Sequence, residues 1–184
     1  MVATGHRAGG GWLWAGGLAL VAMLGVQQAY AQAGSASPEP SRLRPMDRKA
    51  ADLLETGKVR SATFSRLAES LERSDLVVWV AAGHLQRPGQ LQFIAATPRS
   101  RYVRVAVRLP GLENDLVSTL AHELQHAVEI AGAPEIRDYV SLRRYYERIG
   151  EGRPAGVGVE VETAVAQRIG KTVLNELLAA GDRR

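Results

Sequence analysis

The chain has 184 residues, 46% of them apolar and 23% charged, with 23 Lys and Arg against 19 Asp and Glu and no Cys. These are the proportions of one folded domain of ordinary size, not of a disordered chain. The lack of Cys excludes a disulfide framework, a thiolate metal site, a Cys nucleophile and a lipoprotein anchor. Any metal must be held by His and carboxylate, and a net charge of +4 permits contact with anionic surfaces without demanding it.

Met1 to Arg7 supplies positive charge, Trp12 to Val26 runs fifteen residues without a charge, and small residues follow at Ala29-Tyr30-Ala31 and Ala31-Gln32-Ala33. A basic start, a short apolar run and an Ala-x-Ala site are the parts of a secretory signal peptide, here residues 1–33. The apolar run is short for a bilayer, which takes about 20 residues to span, so no stable membrane anchor is expected after cleavage. No Arg pair precedes it, which favours the general export route and an exported protein, periplasmic or secreted. Gly34 to Pro45 is rich in Ser, Pro and Gly and reads as a flexible linker, leaving 46–184 as the domain.

Within that domain, Met46 to Thr56 and Ser61 to Arg73 carry apolar residues at helical spacing, with Ser61 as a cap for the second. Leu76 to Ala82, Leu91 to Ala96 and Arg101 to Leu109 read as strands, the last two joined as a hairpin through Thr97-Pro98-Arg99-Ser100. In Arg101 to Leu109, Tyr102, Arg104, Ala106 and Arg108 alternate with Val103, Val105, Val107 and Leu109, the pattern of one wet face and a placing near a sheet edge. Helices are expected over Glu113 to Ala131, Asp138 to Ile149 and Glu160 to Ala180. The fold class is therefore α+β: N-terminal helices, a small three-stranded sheet, then helices.

The sharpest feature is His122-Glu123-Leu124-Gln125-His126. On a helix, positions four apart differ by about 40° in direction and 6 Å in rise, so both imidazoles reach one space and can share a Zn²⁺ at about 2.0–2.1 Å. Glu123, about 100° round the helix, stands beside such an ion and can take a proton from water that the ion acidifies. Leu116, Leu120, Leu124 and Ala127 make an apolar face opposite the two His. From composition alone, roughly 0.6% of such chains would show the motif by chance.

In these residues the sequence resembles the zincin metallopeptidases, whose shared motif is His-Glu-x-x-His on an active-site helix. The motif itself matches His122, Glu123 and His126; the layout resemblance extends over about Arg101 to Ala180. The metzincin extension needs Gly and a third His, where this chain has Glu129 and Gly132. The gluzincin pattern implies a third ligand from a Glu on a later helix, and both Glu160 and Glu162 stand at the start of the last one. On a stripe of Val165, Ile169, Val173 and Leu177, Glu162 projects into the middle and Glu160 away, which selects Glu162. The resemblance thus implies one Zn²⁺ on His122, His126 and Glu162, with Glu123 as the catalytic base.

Glu129 shares the His face but stands about 10.5 Å along the axis from His122, beside the ligands or on the surface. Asp115 and Thr119 are placed to orient a His ring, and Tyr145, Tyr146 and His84 are available as donors to an oxyanion. Arg143 to Arg148 mixes Arg and Tyr as nucleic-acid binders do, but it is short and acidic in part, so no nucleic-acid partner is expected. The expected activity is metallopeptidase cleavage of a peptide or protein substrate. The alternatives are a non-catalytic envelope protein that keeps the fold and the metal, and a basic surface protein.

Overall fold

A computed structural model describes residues 40–149, 154–155, 158–159 and 162–181. The expected leader, the first half of the expected linker and Glu160 lie outside the described residues. What is described beyond Pro40 belongs to one unit, Ser41–Arg184.

The first element, β1 (Leu43–Pro45), falls inside the stretch expected as linker. It pairs in parallel with β2 (Leu76–Gly83), Leu43 opposite Val78. Between them lie α1 (Arg48–Arg60) and α2 (Ala62–Glu72). Local chemistry sets both starts: Asp47 Oδ1 accepts Ala50 N–H at 2.8 Å and its Oδ2 accepts Ala82 N–H at 2.9 Å. Ser61 ends one helix and caps the next, accepting Phe64 N–H at 3.0 Å. Gly57 lets the helices close, because a Cβ there would sit 2.7 Å from the Phe64 ring.

Strands β3 (Gly89–Ala96) and β4 (Arg101–Arg108) follow, and the sheet is four-stranded in the order β1-β2-β4-β3, with β4 parallel to β2 and antiparallel to β3. Two expectations are corrected here. The sheet has four strands, not three, because three residues of a Ser- and Pro-rich stretch find the free edge of β2. Arg42 and Leu43 N–H groups are fastened there by the Glu72 carboxylate at 2.7 and 3.3 Å, and Pro45 is tolerated at an edge. And β4 is not an edge strand; β3 is. Alternation along β4 reports a solvated face, where Arg104 and Arg108 point outward, and is silent about lateral neighbours.

Helix α3 (Glu113–Ala131) crosses the inner face of this sheet. Its Leu116, Leu120, Leu124 and Ala127 are buried with Val78, Val80, Val103, Val105 and Val107. Helix α4 (Tyr139–Ile149) follows, then a short pair of strands, β5 (Pro154–Ala155) and β6 (Gly158–Val159), then α5 (Ala164–Gly181). α5 begins after Glu162, with Thr163 Oγ1 accepting Ala166 N–H at 3.1 Å as its cap. Its buried face is Ala166, Gly170, Val173 and Leu177, while Val165 is 41% exposed. The expected stripe is therefore rotated, because the small residues let α5 lie close on α3: a Cβ on Gly170 would stand 3.4 Å from the Ser118 carbonyl. Among the described residues no helix is long and apolar enough to cross a membrane.

Candidate metal centre

α3 presents the motif as its helical geometry requires. The Leu face enters the core, and His122, Glu123 and His126 line a cleft of about 920 Å³ bounded by β3, α4 and α5. His126 Nε2 stands 3.2 Å from His122 Nε2, and Glu162 Oε1 stands 3.5 Å from His122 Nε2. Ligands at 2.0–2.1 Å from a tetrahedral ion are about 3.3–3.4 Å apart, so both separations suit one. Glu162 arrives differently from expectation: it is no part of the helix stripe and its side chain is 48% exposed. It precedes the cap of α5 and reaches the cleft from there.

The ring nitrogens away from the cleft are also engaged. His126 Nδ1 is 2.9 Å from Glu129 Oε2, and His122 hydrogen-bonds the Ala166 backbone. Burial raises the Glu129 carboxyl, but hydrogen bonds from His126 and Thr163 outweigh it and hold it below the usual carboxylate range. An ionised Glu129 can only accept, so His126 carries its proton on Nδ1 and offers the Nε2 lone pair to the cleft. Burial and the neighbouring His126 hold His122 below the ordinary imidazole value, favouring its neutral form. Two Nε2 lone pairs converging at 3.2 Å repel unless a shared proton or a cation lies between them, and a Zn²⁺ fits that donor set.

Among the described residues no group of three or more His, Cys, Asp or Glu side chains is placed to hold a metal ion. The His pair and the His122–Glu162 pair are at ligating separation. Glu162 is half-exposed and accepts a hydrogen bond from Gln167 Nε2 at 3.3 Å.

Glu123 lies behind the pair, 8% exposed. Burial pushes its carboxyl up to about 7, with His126 pulling it down and Glu162 pushing it up. Its Oε1 comes so near Gly89 of β3 that a Cβ there would stand 2.5 Å away. Of the other candidates, Tyr146 lines the cleft, edge-on to the His126 ring at 5.8 Å. Its hydroxyl lies 3.3 Å from the His126 carbonyl and 3.4 Å from Glu129 Oε2, so it braces that end of the helix. Tyr145 faces the Glu129 carbonyl at 3.4 Å. Neither it nor exposed His84 and Asp115 lines the cleft, whereas Thr119 does.

Two participants escaped the reading of the chain. Thr163 Oγ1 donates to Glu129 Oε1 at 2.7 Å, a contact no local pattern announces. Gly89 reads as an ordinary turn glycine. The Glu129–His126 pair did carry a signal, since positions three apart on a helix are neighbours.

The chain matches no protein-family model, no curated protein and no solved structure.

Proposed function

We propose that this chain is an exported zinc-dependent hydrolase of the zincin type that cleaves peptide bonds. The observation that carries the reading is the His122–His126 pair, its Nε2 atoms 3.2 Å apart, in a cleft that also holds the Glu123 carboxylate, with Glu162 Oε1 3.5 Å from His122 Nε2.

His122, His126 and Glu162 would hold the ion. When bound, Zn²⁺ supplies Lewis acidity towards a carbonyl oxygen and acidifies water. Glu129 keeps the His126 proton on Nδ1. Glu123, held in a poorly solvated wall against Gly89, is placed to accept a proton from water and return it to the leaving amine. The free side of β3, which pairs only with β4 among the described residues, offers main-chain donors and acceptors to an extended peptide laid beside the centre.

The test is metal content of the purified protein by mass spectrometry, together with hydrolysis of an unfolded protein substrate. The expected outcome is about one zinc per chain, lost in His126→Ala and Glu162→Ala, and hydrolysis reduced at least about 100-fold in Glu123→Gln with zinc retained. No zinc after reconstitution at neutral pH would overturn the reading. Zinc without hydrolysis on any unfolded substrate would leave a metal-binding envelope protein.

A further inference from the structure

The cleft differs from one end to the other, and α3 measures its length. At the Ser118–Thr119 level, Gly89 of β3 lies against Thr119 and Gly170 of α5 against the Ser118 carbonyl. At His126, about 10 Å further along the helix axis, the wall is Tyr146 and Leu142 of α4. β3 runs in the same sense. Phe93 lies roughly 13 Å beyond Gly89 along the strand, and the strand ends at Ala96 opposite Arg101, whose guanidinium holds the Ile130 carbonyl near the end of α3.

The two ends carry different chemistry. Arg87 precedes Gly89 on the turn that enters β3, and Lys171 follows Gly170 on α5; both are exposed and both line the cleft. Apart from Glu123 and Glu162, which belong to the centre, they are the charged side chains on that wall among the described residues. At the far end the wall is Phe93, Tyr139 and Leu142.

A peptide that adds to β3 in the antiparallel sense, the more stable pairing per residue, runs from the Phe93 end towards Gly89. Its residues before the scissile bond then meet the apolar wall, and those after it meet Arg87 and Lys171. Resting on the peptidase reading, we propose that the cleft selects peptides with an apolar residue before the scissile bond and a carboxylate after it. That carboxylate belongs either to an Asp or Glu side chain or to the peptide's own C-terminus. The cations are exposed, so the selection is moderate and weakened by salt.

The test uses fluorescein-labelled peptides sharing one apolar segment and differing only after the bond: an amidated Glu peptide, an amidated Lys peptide, and a neutral peptide with either a free or an amidated C-terminus. Binding to zinc-loaded Glu123→Gln protein is read by fluorescence anisotropy. The expected result is roughly three- to tenfold tighter binding of a carboxylate peptide than of the Lys peptide at low salt. That order should fade at high salt and invert in Glu123→Gln carrying Arg87→Glu and Lys171→Glu. The Glu arm against the free-terminus arm identifies which carboxylate is read. Equal binding of all peptides, or no response to the charge reversal, would overturn the proposal. Hydrolysis of the same peptides by the unaltered protein separates the two readings. A binding order without hydrolysis would sink the peptidase and keep the charge selection; hydrolysis without a charge order would do the reverse.

Discussion

Glu129 joins the motif helix to Thr163, which stands 34 positions further along the chain. One oxygen accepts a hydrogen bond from His126 Nδ1–H at 2.9 Å, and the other accepts one from the Thr163 hydroxyl at 2.7 Å. Thr163 is next to Glu162, so a single carboxylate sets the ring of one proposed ligand and the backbone that carries another. Partners of this kind are worth about 10- to 100-fold in metal affinity. Glu129→Gln and Thr163→Val are each expected to weaken zinc binding by roughly that range, measured by competition with a chromophoric chelator. Thr163→Ser, which keeps the hydroxyl, is expected to restore it. Unchanged affinity in Thr163→Val would show that the link is idle. The local half of this arrangement is legible in the chain, because His126 and Glu129 are three apart on a helix. The Thr163 half is not, since nothing local to either residue encodes the approach of α5 to α3.

At the scale of elements, the position of α3 depends on Arg101, the first residue of β4. Its side chain is fully buried. Nη1 donates to the Ile130 and Ala133 carbonyls at 2.8 and 2.7 Å, and Nη2 to the Ala131 carbonyl at 3.0 Å. Nε and Nη2 hold Asp75 at 2.9 and 2.7 Å. The guanidinium thus satisfies carbonyls that the end of a helix leaves without partners, and it ties the motif helix to the sheet. Arg101→Met is expected to cost about 3 kcal/mol, chiefly through orphaned buried carbonyls, read as a lowered denaturant midpoint at unchanged slope.

The acid limb of stability follows from the same kind of tie. The Arg101 hydrogen bonds hold the Asp75 carboxyl below its ordinary value. At Glu176 burial pushes upward, but hydrogen bonds from Ser61 and Thr63 win and lower it. A lowered carboxyl stabilises the fold above its unfolded pKa of about 4, and that contribution is lost as pH falls through the lower folded-state value. Thermal midpoints are therefore expected to drop as pH falls below about 4, and Glu176→Gln to drop less steeply than the parent. Parallel curves for the two proteins would exclude Glu176 as a contributor.

Across the whole molecule, the arrangement of the cleft comes from topology. β3 follows β2 in the chain but is pushed to the edge when β4 returns and pairs between them, so the outermost strand borders the cleft and brings Gly89 against Glu123. α5, antiparallel to α3 in its contacts from Thr163–Glu129 to Gly170–Ser118, closes the opposite wall. Each wall carries a cation close in the chain to a glycine packed on the Ser118–Thr119 turn of α3, Arg87 before Gly89 and Lys171 after Gly170, and the peptide selection proposed above rests on that placing. The chain by itself determined what repeats along it: helix extents to within a few residues, three of the four main strands, the apolar face of α3, and the motif His122, Glu123 and His126. These depend on periodicity and on spacing within one helical turn, which any neighbourhood preserves. Only the tertiary structure decided that Leu43–Pro45 completes the sheet, that β3 and not β4 is the edge, and that Glu162 reaches His122 from outside the helix. Each of those depends on which surfaces meet, and a strand's lateral neighbour or a residue's partner across 34 positions is chosen by the burial of the whole core.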